Sequence, residues 1–443
     1  MAKATSAGSR LVVEGGRKLI GNVSASGSKY SAMLALAAAL LLPDRAVLRN
    51  IPKIEDVEAM LSIAGYLGAR IERSDTGALL LDASSMENRI VTPELTERLH
   101  SSYLFLPVLA SRFDAASIGL PGGCRVDDTR YPVEIADLYA RFGFDLSLDL
   151  EQRTITAVRK GCPDPIRHLD FSSISYRDIT MFTKTAVLLT ATAPGMTVIR
   201  RPFMGPELRD MCAMLRQMGV QIWGQGSETL FVAGAGSLRP VDHTILLDWT
   251  EALTLLAAGF ISGGRVTVEN LPLFWMGSEL AVLAWMGAEL QLMNEPDSRP
   301  FGTASVSCGR TDQLRAVSFS TGSYPCINTD SHPILAACLT QAPGRSTITE
   351  GVFSHRFLYV EQFRKMSARL EYNGSAIHVE GPSRLQGAMV SGHDIRTCAS
   401  LLLLALATDG KTAIQDWQHL NRGYEDLPGK LRLLGGVISE AQA

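Results

Sequence analysis

Apolar positions along the chain recur in a short motif: a large apolar residue, a small one, a small or apolar one, any residue, then an apolar one. Copies lie at 67–71, 142–146, 218–222, 286–290, 366–370 and 434–438. Five of the six carry Gly at the second position, and Ser367 takes that place in the other. The copies are spaced by about 70 to 80 residues, a period that defines the building unit before any single element is read. The motif has a direct backbone meaning. A helix ends, its second residue adopts the left-handed conformation that a β-carbon penalises, and an alternating strand such as 69–72 begins.

Before each copy the spacing predicts an amphipathic helix, as over 55–65 or 207–218. Before that it predicts a short strand, as at 47–50 or 266–269. A second helix opens each unit and is apolar nearly all round, as over 31–40, 252–257 and 398–405. Such a helix has to be buried. Six units of this kind suit an α/β chain of two pseudo-threefold domains, three units each, with helices inside and sheets outside. The expected division is 30–246 for the first domain and 1–29 with 247–443 for the second. The first strand, 10–14, is expected to pair within that second domain, because chain termini often lie close together.

Composition narrows the class. The 443 residues are 46% hydrophobic and 20% charged, which fits two or three globular domains. A net charge of −3 gives no support for nucleic-acid binding through overall charge, but leaves room for a local cationic pocket. The longest apolar runs, 32–43 and 401–407, fall well short of the ~20 residues that span a bilayer. The first ten residues lack the apolar core of a signal peptide. A cytoplasmic protein without a membrane partner is expected. The seven cysteines contain no CxxC pair, so neither a disulfide framework nor a zinc site is expected, and most should be small buried apolar residues.

Candidate chemistry centres on the loop that follows Ile118. It reads Gly-Leu-Pro-Gly-Gly-Cys124-Arg125-Val-Asp-Asp-Thr-Arg130. Adjacent glycines allow close approach to a ligand. Arg125 and Arg130 would lower the Cys124 thiol pKa, and Asp127 and Asp128 would oppose that. A surface turn with an incidental cysteine is the plain alternative. Lys29, Arg130, Arg356, Arg396 and Arg422 all fall at predicted loops or element ends. Because the units are equivalent, such ends should gather at one cleft, where Arg forks bind carboxylate and phosphate. Asp330 precedes an apolar helix and reads as its N-cap, with a general base as the functional alternative.

The segments Ser26-Gly-Ser-Lys29, Asn50-Ile-Pro-Lys-Ile-Glu-Asp56, Leu120-Pro-Gly-Gly-Cys124, Thr329-Asp330, Phe353-Ser-His-Arg356-Phe357, His393-Asp-Ile-Arg396 and Arg422-Gly-Tyr-Glu425 resemble motifs of the enolpyruvyl transferases. The likeness is greatest to the UDP-N-acetylglucosamine 1-carboxyvinyltransferases (MurA-like) of peptidoglycan synthesis, and it runs through nearly the whole chain in order. It implies the family's two-domain inside-out α/β barrel. It also implies transfer of the enolpyruvyl group of phosphoenolpyruvate to an acceptor hydroxyl, with release of phosphate and no metal or organic cofactor. By resemblance, Cys124 would protonate the enol carbon and Asp330 would accept the hydroxyl proton. Lys29, Arg130, Arg396 and Arg422 would hold phosphate and carboxylate, and Arg356 would position the closed site.

The chain departs from the family pattern where the acceptor is expected. Tyr30 stands where the family has Asn, and His100 where it has Arg. The stretch from Cys124 to Arg130 is one residue longer, and 172–178 fits poorly. Residues that would handle phosphoenolpyruvate are mostly kept. Specificity resides in such direct contacts, so an altered acceptor is expected: a uridine nucleotide, UMP at its 3′-hydroxyl, as in relatives of nikkomycin and polyoxin-type nucleoside antibiotic biosynthesis. UDP-N-acetylglucosamine is the alternative acceptor. A shikimate-pathway transferase of the same fold and a non-catalytic nucleotide-binding paralogue are the further readings.

Overall fold

The computed structural model describes residues 8–122, 134–295, 303–353 and 356–442. It divides into two compact units, 27–246 and 1–26 with 247–443. Residues 27–29, which the sequence reading assigned to the second domain, belong with 27–246. Their place follows from local bonding: the Ser28 N–H donates to the Leu246 carbonyl at 2.8 Å, and Ser28 caps the helix Lys29–Leu41.

The six motif copies behave alike. The second residue of each has a positive φ: Gly68 (97°), Gly143 (78°), Gly219 (107°), Gly287 (103°), Ser367 (66°) and Gly435 (101°). Each stands between an outer helix and a strand, as Gly68 stands between Glu55–Tyr66 and Arg70–Arg73. Ser367 holds the same conformation with a side chain, so the repeat geometry overrides the local preference for glycine.

The apolar helices are buried as their composition requires. In the 27–246 unit these are Lys29–Leu41, Phe105–Phe113 and Ile179–Thr192. In the other unit they are Trp249–Ser262, His332–Leu339 and Ile395–Leu406, which pack on one another. Each unit also carries three small sheets, and their strands alternate buried and exposed residues, as in Thr229–Ala233. Helix faces and inner strand faces form one apolar core per unit.

Strand order repeats as well. A strand preceding a buried helix lies parallel to the strand of its sheet that follows one, and two antiparallel strands complete the sheet. In the last unit the missing strand is supplied by Ser9–Glu14, which pairs with Lys411–Gln415 and Val437–Gln442. The chain passes from one unit to the other at 26–27 and again at 246–247. Ile20–Ser24 therefore completes the sheet of Arg265–Pro272, while Val241–Thr244 completes that of Arg45–Arg49.

Among the described residues, no helix is long and apolar enough to cross a membrane. Cys212, Cys308, Cys338 and Cys398 are buried as expected, whereas Cys162 and Cys326 are exposed.

Candidate functional site

In the 27–246 unit, the first passage of the chain sets up a lysine. Gly27 approaches Asn50 so closely that an added β-carbon would lie 1.7 Å from the Asn50 carbonyl oxygen. Asn50 itself has φ 63°, and its side-chain amide donates to the Ile245 carbonyl at 3.3 Å. Only glycine fits at 27, and this fit starts the helix at Lys29 beside the segment that leads to Asp56. The Lys29 ammonium then meets the Asp56 carboxylate at 2.5 Å, with both side chains buried.

A second lysine joins it. Lys184 lies on the buried helix Ile179–Thr192 and pairs with Glu207 at 3.2 Å. Its ammonium sits 6.0 Å from the Tyr30 ring centroid and 5.2 Å from that of Phe203, and Lys29 lies 5.7 Å from the same Tyr30 ring. His100 stands nearby, 5.7 Å from the Tyr103 ring, with part of its surface open to solvent. Desolvation by the surrounding protein lowers its pKa. The charges of Lys184, Lys29 and Arg177 lower it further, and Asp178 opposes them. His100 therefore stands in a locally positive field.

In the other unit the arrangement centres on one carboxylate. Asp330 Oδ2 accepts from Arg396 Nη2 at 2.8 Å, and its Oδ1 pairs with Arg356. The N-cap position of His332–Leu339 belongs to Ser331, one residue after the expected Asp330, so the N-cap reading of Asp330 is corrected. The two guanidiniums outcompete the helix terminus for a carboxylate because charge-assisted pairs are stronger than a neutral cap.

Each arginine is itself held. Arg396 opens the helix Ile395–Leu406, where Asp394 caps the backbone N–H groups of Arg396 and Thr397. Its guanidinium lies 5.4 Å from the ring of Tyr424, whose hydroxyl contacts the Thr254 hydroxyl at 3.0 Å. Arg356 Nη1 donates to Thr329 Oγ1 at 3.2 Å, and that hydroxyl donates to Glu350 at 2.9 Å. The buried His332 donates from Nε2 to the Arg356 carbonyl at 3.3 Å, and its Nδ1 lies 3.2 Å from Glu350. Burial, with the Arg356 charge, pushes the His332 pKa down to about 3.

The structure thus brings Asp330, Arg356 and Arg396 together in one unit, and Lys29, Tyr30 and His100 together in the other. Arg422 ends the short helix Trp417–Arg422, two residues before Tyr424. Cys124, Arg125 and Arg130 lie outside the described residues.

Sequence reasoning missed five side chains of these clusters. Asp56 stood inside a recognised motif with no role given to it. Lys184 is a single charge in a run of apolar and threonine residues, and an unpaired charge cannot be buried cheaply. That was a usable signal. Glu207, His332 and Glu350 gave none, since their partners are distant in sequence.

The sequence model of the EPSP synthase (3-phosphoshikimate 1-carboxyvinyltransferase) family matches residues 13–431. The UDP-N-acetylglucosamine 1-carboxyvinyltransferase 1 of Staphylococcus aureus (strain N315) is 33% identical over 432 residues, 97% of this chain and 98% of its own length. Its counterpart in Symbiobacterium thermophilum is also 33% identical, over 438 residues, 97% of this chain and 95% of its own. Among solved structures, the enolpyruvyl transferase NikO from Streptomyces tendae aligns with a TM-score of 0.88 at 27% identity, across 99% of this chain and 100% of its own. An EPSP synthase from Acinetobacter baumannii shares the fold, with a TM-score of 0.76 at 17% identity over 98% of this chain and 100% of its own.

Proposed function

Because the chain belongs to the EPSP synthase family and is an enolpyruvyl transferase, we propose that it moves the enolpyruvyl group of phosphoenolpyruvate to the 3′-hydroxyl of UMP. The acceptor oxygen attacks C2 of phosphoenolpyruvate, Asp330 takes the hydroxyl proton, and Cys124 delivers a proton to C3. A tetrahedral intermediate results. Loss of a C3 proton and of phosphate then restores the enol double bond in the product.

Lys29, Arg130, Arg396 and Arg422 hold the phosphate and carboxylate in this scheme, where developing charge needs preorganised cations. Both Asp330 oxygens are engaged by arginines. For Asp330 to accept a proton, one guanidinium has to turn to the anionic substrate. Arg356 is the candidate, because Thr329 and Glu350 give it a second anchor.

One observation carries the acceptor reading. The residues expected at phosphoenolpyruvate are mostly kept, while Tyr30 and His100 replace the family's residues in a cluster that also holds Lys184. The full-length likeness to the enolpyruvyl transferase NikO supports the reaction type in this reading. A second reading, UDP-N-acetylglucosamine as acceptor, is favoured by the 33% identity to the Staphylococcus aureus enzyme.

Phosphate release with phosphoenolpyruvate and each nucleotide, with product masses, separates the two. The expected result is turnover with UMP and a product heavier by one carboxyvinyl group. Turnover confined to UDP-N-acetylglucosamine would overturn the acceptor assignment.

A further inference from the structure

The lysine that the sequence reading overlooked has an unusual setting. Lys184 is the sixth residue of a helix with twelve buried residues, and its side chain is about nine-tenths buried. Burying an ion pair seldom adds stability over apolar packing of the same volume. A buried Lys–Glu pair among aromatic rings is therefore weakly explained by folding alone.

The geometry gives it a direction. Among the described residues, one hydrogen bond is recorded for the ammonium, to Glu207. An ammonium has three donors. The remaining two are left for the faces of Tyr30 and Phe203 and for a ligand oxygen. Lys29 flanks the Tyr30 ring as well. Two ammoniums therefore lie within 6.0 Å of one half-buried ring, beside a histidine that reaches solvent.

The charges decide what would bind. Each lysine has a carboxylate, yet the groups whose charges act most on His100 are Lys184, Lys29 and Arg177 against Asp178 alone. Both ammoniums flank the Tyr30 ring, and their charges act on His100. An anion placed at the open His100 edge meets ammonium charge and an imidazole able to donate or accept a hydrogen bond. A neutral ring would gain little from that field.

We propose that Lys184 is a specificity-determining residue whose ammonium, with Tyr30 and His100, binds the phosphate of the acceptor nucleotide. This rests on the enolpyruvyl-acceptor reading above. Glu207 is then the counterion that holds the ammonium in place until the phosphate arrives. Phosphoenolpyruvate also carries a phosphate, so the test has to separate donor from acceptor.

Lys184→Met removes the charge at similar volume. Initial rates of phosphate release give KM for UMP and for phosphoenolpyruvate, with uridine as an acceptor lacking the phosphate, and thermal unfolding reports the fold. The expected result is a 10- to 100-fold rise in KM for UMP, a KM for phosphoenolpyruvate within about twofold of wild type, and unchanged use of uridine. An equal rise for phosphoenolpyruvate would assign Lys184 to the donor and overturn the proposal. An equal loss with uridine and UMP would make its role structural and also overturn it, as would no change.

Should Lys184→Met fail to fold, Glu207→Gln decides. Freeing the ammonium from its counterion is expected to lower KM for UMP, and an unchanged KM overturns the proposal. If wild type uses UDP-N-acetylglucosamine and not UMP, the acceptor assignment falls, and the Lys184 comparison is run on that acceptor's KM. If wild type turns over neither, the functional reading falls. Calorimetric titration of UMP and uridine into wild type and Lys184→Met then judges Lys184, with equal affinities overturning the proposal.

Discussion

The two halves of the chain use charge in opposite ways. In the 27–246 unit, each buried lysine has a carboxylate of its own: Asp56 for Lys29 and Glu207 for Lys184. In the other unit, two arginines share the single carboxylate of Asp330. Lysine is a compact point charge on a flexible stem, whereas arginine is a planar fork that fixes orientation. The first arrangement balances charge pair by pair and leaves ammoniums beside an aromatic ring. The second sets two arginines on one acid, with Glu350 held nearby through Thr329. The difference suggests that Asp56 serves the fold and Asp330 the reaction.

The largest expected effect tests that assignment. Asp330→Asn keeps the shape but removes the proton acceptor, and a lost general base costs about 10² to 10⁴ in rate. The kcat for phosphate release is expected to fall about 1,000-fold with the fold intact by circular dichroism. A kcat within tenfold of wild type would remove Asp330 from the chemistry.

Asp56→Asn is the counterpart. It removes the carboxylate paired with the buried Lys29 ammonium, so urea unfolding should show a loss of about 3 kcal/mol. Lys29→Met added to it should recover most of that stability while activity stays low. If Asp56→Asn costs rate but no stability, the contrast between the two carboxylates collapses.

Next in size is a pH effect beneath Asp330. His332 is held at about 3, below its ordinary 6.5, by burial and the Arg356 charge. A base depressed in this way contributes stability that is complete above pH 6.5 and is lost as pH falls toward 3. Between pH 7 and pH 5 its share of the loss is about 2 kcal/mol. His332→Gln should flatten that part of the stability curve relative to wild type. A wild type that instead gains stability over this range relative to the variant would mean a charged imidazole paired with Glu350.

The smallest expected effect concerns the forks. Arg396→Lys keeps the charge and loses the planar geometry, so kcat/KM should fall by about tenfold. The same exchange reversed, Lys29→Arg, should act through crowding at a buried site and lower stability as well. Equal, purely kinetic effects from both would show that fork geometry is not what separates the two clusters.

Much of the architecture was legible because it is local. A left-handed residue after each outer helix, an apolar helix in each unit and an alternating strand beyond it depend on residues within a few positions of one another, and they recur six times. Even the pairing of Ser9–Glu14 within its unit was expected, because chain termini often lie close together. The reading of Asp330 as a cap failed for the same reason that it was attempted. A cap is the best local use of an aspartate before a helix, while its observed partners Arg356 and Arg396 are 26 and 66 residues away.

The sequence by itself determined the repeat, the burial of the six apolar helices and the family. These follow from periodic patterning and short motifs, which a linear chain displays openly. Only the tertiary structure decided which charges meet. Lys184 finds Glu207 and Tyr30, Thr329 bridges Arg356 to Glu350, and residues 27–29 belong with the unit they enter. Ion pairing and ring contacts act over a few ångströms of space regardless of sequence separation. Partners of that kind are fixed by the packing of the units and carry no period that the chain could reveal.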